Sequence, residues 1–115
     1  MLADYDLAVR KHEVDMVYMG GVLVAVLENI LHPDHLFIEN VAVAPGYQGQ
    51  GLGQMLMARA EARARELGLP ELRLLTAKAM ALNIALYQSL GFQIDREEPY
   101  KGGFTVYLSK VLAQR

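Results

Sequence analysis

Residues 41–54, VAVAPGYQGQGLGQ, set the strongest limit on how this chain folds. A β-branched run stops at Pro45-Gly46, glycines follow at 49, 51 and 53, and a helix-forming sequence begins at once. Glycine accepts backbone angles closed to other residues, at an entropic cost to the folded state. So much of it between a strand and a helix serves either a tight turn or the close approach of a ligand. A P-loop requires Gly-x-x-x-x-Gly-Lys-Ser/Thr, but Gly46 to Gly51 is followed by Leu52-Gly53, without lysine. A dinucleotide fingerprint requires Gly-x-Gly-x-x-Gly, and counted from Gly49 and Gly51 the last position is Gln54. What remains is Gln48-x-x-Gly51-x-Gly53 at the mouth of a helix. Unpaired N–H groups and the positive end of the helix dipole suit that place to an anion such as a pyrophosphate.

The flanking sequence supplies the rest of a small domain. HEVDMVYM and VLVAVLENIL meet at Gly20-Gly21, which reads as a tight hairpin, and HPDH (32–35) turns into a third strand, LFIENVAV (36–43). In LGQMLMARAEARARELGL the residues Leu52, Leu56, Ala60 and Leu67, with Met55 beside them, recur at helical spacing. Arg59 and Arg63 read as a solvated flank of that helix, and Gly68 and Pro70 end it. ELRLLT (71–76) is a strand, AMALNIALYQSL a second helix closed by Gly91, and FQIDRE with FTVYLSK a last hairpin around residues 99–103. Residues 3–11 suit the last turns of a helix capped by Asp4. The order is βββ-α-β-α-ββ, an α/β (α+β) fold with a mixed, mostly antiparallel sheet. The strand–helix–strand crossover makes 36–43 and 71–76 a central parallel pair.

Composition excludes several classes of function. A chain of 115 residues, 53% hydrophobic, buries a core as one domain. A net charge of −2 offers no basic footprint for nucleic acid. The lack of cysteine removes disulfides and thiolate chemistry and suits a reducing, cytoplasmic setting. Apolar runs such as Val22–Leu27 are too short for a membrane span, and Asp4 and Asp6 sit where a leader would be apolar. His32 and His35 flank a turn, and three histidines without cysteine form a poor metal set, so no metal is expected.

The second helix carries Asn83 and Tyr87 at i,i+4, on one face. Here the chain resembles the GNAT superfamily of acetyl-CoA-dependent N-acetyltransferases. LFIENVAVAPGYQGQGLGQML resembles its Arg/Gln-x-x-Gly-x-Gly/Ala element, and NIALYQSLGF its Asn…Tyr element with the closing Gly-Phe. With the intervening LGLPELRLLT the resemblance covers residues 36–92, and the pair of motifs in this order is specific where either alone is weak. It implies acetyl-CoA as co-substrate and a strand that splays from its parallel neighbour to admit the pantetheine arm. Backbone groups of Val41, Ala42 and Val43 would bond that arm, and Asn83 would bond it from the other side. Backbone N–H groups of Gln48, Gly49, Gln50, Gly51, Leu52, Gly53 and Gln54 would take the pyrophosphate. Many relatives carry Arg where this chain has Gln48, which removes one charge from the phosphates.

The implied reaction sets chemical requirements. A lysine-like amine, with a pKa of about 10.4, is mostly protonated at neutral pH and must lose a proton before attacking a thioester. The departing thiolate gains from a nearby donor. The resemblance places the Tyr87 hydroxyl by the thioester sulfur, as general acid; the same residue equally suits an aromatic core position. Glu39 is the candidate base. By alternation it shares a face with Phe37, Val41 and Val43, where a carboxylate is costly unless solvated or paired. It also suits an acid at the wet end of a strand.

Relatives begin with a strand and two helices, whereas some ten residues precede His12 here. Residues 1–115 are therefore expected to form a single GNAT-like domain lacking the first strand and most of the first two helices. That leaves a cleft open to a large substrate, a site completed by a second subunit, or a start codon upstream of Met1. An uncovered edge strand invites pairing, so a homodimer is expected. The expected activity is N-acetylation of a primary amine by direct attack in a ternary complex. A non-catalytic acyl-CoA-binding module is the alternative, and a nucleotide-phosphate binder is disfavoured by the two failed fingerprints. The acceptor amine is not legible.

Overall fold

The computed structural model describes residues 11–112. Six strands and two helices follow one another: β1 (Lys11–Met19), β2 (Val22–Leu31), β3 (Leu36–Val43), α1 (Leu52–Glu66), β4 (Glu71–Ala77), α2 (Ala81–Ser89), β5 (Gln93–Tyr100) and β6 (Gly103–Val111). They form one sheet in the order β1-β2-β3-β4-β6-β5, antiparallel throughout except for the parallel pair β3 and β4. The fold expected from the sequence is the fold observed. Of the helix expected over residues 3–11, residues 3–10 lie outside the described residues, and Lys11 is not helical but opens β1.

One face of the sheet and α1 enclose the core. Leu52, Leu56, Met57, Ala60 and Ala64 are the buried positions of α1, and they pack with Leu27, Leu36, Ile38, Leu72 and Leu108. Leu67, assigned to the helix stripe above, is instead exposed, because the helix ends before it and it becomes the C-cap. Arg59 and Arg63 are also not a merely solvated flank. Arg59 donates to Asp15 at 2.8 Å, and Arg63 grips both carboxylate oxygens of Glu13, at 3.0 and 2.8 Å. These ion pairs lash α1 to the edge strand β1.

Both helices stop by the same device. After α1, Gly68 N–H donates to Arg65 and Leu69 N–H to Ala64; after α2, Gly91 N–H donates to Gln88 and Phe92 N–H to Tyr87. This double bond pattern requires a left-handed residue, supplied by Gly68 (φ 74°) and Gly91 (φ 100°). The second helix starts at Ala81, two residues later than its sequence suggests. Pro99 and Tyr100, assigned above to the last turn, extend β5 instead, an edge strand where a missing N–H is tolerated.

Candidate functional site

The site is built around a gap in the sheet. β3 and β4 pair only at Leu36 with Leu72 and Phe37 with Arg73, after which the ladder between them ends. A bulge in β3 follows immediately: Ile38 opposes Asn29 and Asn40 opposes Glu28, leaving Glu39 as the extra residue. A bulge bends its strand and shifts alternation by one. Val41 and Val43 therefore oppose the buried Leu27 and Ala25 and share the face of Leu36 and Ile38. Phe37 opposes Ile30 on the other face, which corrects the alternation that grouped it with Val41 and Val43. Glu39 itself is exposed and makes no ion pair among the described residues.

Which backbone groups face the gap follows from one hydrogen bond. Ala44 N–H donates to Val24 at 2.8 Å, so even-numbered residues of β3's second half spend their N–H and C=O on β2. Val41 and Val43, the alternate residues, present theirs toward the missing part of the β3–β4 ladder. Ala42, grouped with them above, is committed to β2 and does not line the cleft.

Beyond β3 the chain makes a single 3₁₀ turn, Pro45–Tyr47, then passes two left-handed glycines, Gly49 and Gly51, both at φ 82°. A Cβ at either would meet nothing within 4 Å, so backbone angle, not crowding, is what demands glycine there. Gly51 is the N-cap of α1 and lacks a side-chain cap, and no acidic residue occupies the helix's first turn. Its N–H groups and dipole are thus uncompensated. The Gln48 side-chain amide donates to the Val43 carbonyl at 3.1 Å.

These parts converge on one cleft of about 590 Å³. Val41 and Val43 line it from β3; Gln48, Gly49 and Gly51 from the loop; Leu52, Gly53 and Gln54 from the first turn of α1; and Asn83 and Tyr87 from α2. Gln50 and Glu39 do not line it. Tyr47 and Leu86 do, although neither was singled out in the sequence. Leu86 stands three residues from Asn83, a helical spacing that could have found it. No lining residue carries a formal charge, so an anion there would rest on N–H groups and the helix dipole. Tyr87 is half-buried, and burial pushes its hydroxyl pKa up, keeping it protonated. Among the described residues no group of His, Asp and Glu has the geometry of a metal site.

The model of the acetyltransferase (GNAT) family matches residues 4–92. The chain belongs to the GNAT family. This GNAT chain is 42% identical over 57 residues to the streptothricin acetyltransferase of Streptomyces lavendulae, a match covering 50% of the chain and 30% of that protein. It is 40% identical over 68 residues to the [ribosomal protein bS18]-alanine N-acetyltransferase of Escherichia coli K12, covering 59% of the chain and 45% of the relative. It thus spans less than half the length of both curated relatives. Among solved structures, the IAA acetyltransferase from Bacillus cereus ATCC 14579 superposes with a TM-score of 0.76 at 26% identity, over 96% of this chain and 83% of that one. The ribosomal-protein-S18-alanine N-acetyltransferase from E. coli shares the fold, with a TM-score of 0.81 at 23% identity, over 97% and 77% of the two chains.

Proposed function

We propose that this GNAT chain transfers an acetyl group from acetyl-CoA to a primary amine by direct attack in a ternary complex. The observation that carries this reading is the single cleft in which the opened edge of β3, the glycine loop and Tyr87 meet. The residues fit the co-substrate in kind. An extended, amide-bearing arm finds strand-like partners at Val41 and Val43, and Asn83 faces it from α2. A pyrophosphate finds the N–H groups of residues 48–54 and the uncapped end of α1. When bound, acetyl-CoA supplies an activated acetyl thioester.

The chain's own groups then have defined tasks. The acceptor nitrogen bonds to the acetyl carbon, the carbon–sulfur bond breaks, and the Tyr87 hydroxyl gives its proton to the departing sulfur. Glu39, solvated at the bulge beyond the last β3–β4 pair, takes the amine's proton through water. The names of the relatives put both a small molecule, streptothricin, and a protein alanine among the acceptors to assay.

The protein works in the cytoplasm, consistent with its lack of cysteine; no helix among the described residues is long and apolar enough to cross a membrane. It functions as a homodimer through β1, an outer strand with Val14, Met16 and Tyr18 47%, 49% and 57% exposed.

The test is thermal stabilisation by acetyl-CoA set against ATP and NAD, followed by thiol release with a panel of amines. Stabilisation by acetyl-CoA alone and thiol release with at least one amine is the expected result. Stabilisation without release from any amine would favour a non-catalytic acyl-CoA-binding module, and stabilisation by all three nucleotides would contradict the assignment.

A further inference from the structure

Gln48 makes a contact that an anion-binding loop does not by itself require. Its side-chain amide turns back along the chain and donates to the Val43 carbonyl at 3.1 Å. Val43 is where the parts of the site join. Its backbone faces the gap beside β4, and its Cγ2 lies 3.9 Å from the position a Cβ would take on Gly53 in the first turn of α1. The neighbouring Ala44 N–H is fixed to Val24. Between this anchorage and the first bond of α1, Met55 N–H to Gly51 at 3.0 Å, lie Gly49 and Gly51 in left-handed conformations. Such a segment loses much backbone entropy on ordering. No other side-chain hydrogen bond among the described residues ties residues 44–51 to the sheet.

We infer that the Gln48 side chain is a positioning residue that fixes the spacing between the two halves of the ligand cleft, the strand edge and the glycine-loop N–H groups. The inference rests on the acetyl-CoA reading of the cleft and adds to it a role for a side chain committed to Val43. A ligand that engages both halves at once gains from their linkage through effective concentration. Loosening the spacing costs that linked gain and leaves each half able to bind its own fragment.

The test compares wild type with Gln48→Met, which keeps length and removes the donor. Calorimetry would measure binding of CoA, of pantetheine (the arm without the nucleotide) and of 3′-phospho-ADP (the diphosphate without the arm). Loss of one hydrogen bond predicts CoA affinity lower by about fivefold, with both fragments changed by less than about twofold. Amide exchange at residues 49–52 of the ligand-free protein should quicken in the variant. An equal loss for 3′-phospho-ADP and CoA would overturn the inference, because the side chain would then act on the phosphates directly. Unchanged CoA affinity would overturn it as well. A wild-type protein that binds no CoA would overturn the underlying reading, and the wild-type measurement alone reveals that case.

Discussion

Phe92 holds Tyr87 twice. Its backbone N–H donates to the Tyr87 carbonyl at 3.0 Å, and its ring leans on the Tyr87 ring with centroids 5.9 Å apart and planes at 59°. The first contact is half of the bond pattern that ends α2 at Gly91, and the second is the apolar contact that accompanies such an ending. Phe92 is buried in the core, so the helix terminus ties the Tyr87 ring to the core of the molecule.

Tyr87→Phe keeps the ring packing and removes only the hydroxyl. Turnover should fall about a hundredfold or more, the usual scale for a lost general acid, while acetyl-CoA affinity stays within about twofold. Burial holds the hydroxyl protonated, so the wild-type rate should show no alkaline fall from Tyr87 below about pH 10. Steady-state kinetics and direct binding separate the two effects, and unchanged turnover removes the assignment.

Glu39→Gln tests the proton's route. Glu39 is exposed at the bulge and does not line the cleft, so any action is through solvent. The rise of rate with pH that a carboxylate base produces should disappear in the variant, with acetyl-CoA binding unaffected. An identical pH–rate profile would leave Glu39 as the strand's solvated acid.

Gly51→Ala addresses the loop. At φ 82° an alanine meets open space and still pays for a left-handed backbone, about 1 kcal/mol. Stability should drop by that amount, and CoA affinity with it, since the same residue caps α1. A chemical denaturation curve together with a CoA titration reads both, and an affinity equal to wild type would show that the loop does not hold the ligand.

The ion pair between Glu13 and Arg63 makes stability depend on acid. Hydrogen bonding from Arg63 holds the Glu13 pKa below its ordinary value, so its stabilisation is present above the unfolded-state value near about 4.3 and is lost as pH falls through the lower folded value. Glu13→Gln should destabilise by about 1 kcal/mol at neutral pH and by progressively less in acid. Denaturation midpoints at neutral pH and in acid check the convergence; a constant difference would refute the linkage.

The exposed edge β1 carries the dimer proposal. Sedimentation at micromolar concentration should return twice the 12.8 kDa chain mass, and Met16→Lys should return the monomer. A wild-type monomer would contradict the proposal.

Elements governed by local rules were legible in the sequence. The glycines at 20–21, 68 and 91 mark turns and helix ends by backbone angle alone, and the glycines of the Gln48–Gln54 segment mark the loop that opens α1. The bulge at Glu39 was not legible, because one extra residue in an apolar strand leaves no local trace and is fixed by pairing with β2. Nor were the contacts of Arg59 and Arg63, whose partners lie 44 and 50 positions away on β1. Sequence spacing finds neighbours along a helix, while pairing across the fold depends on register.

Whether acetyl-CoA occupies the cleft between β3, the glycine loop and α2 is read directly by titrating the isotopically labelled protein with acetyl-CoA and following its amide chemical shifts. Saturable shifts are expected at Val41, Val43, residues 48–54 and Asn83, with Tyr87 and Phe92 following through their shared helix end. Shifts confined to other surfaces, or none at millimolar acetyl-CoA, would contradict it.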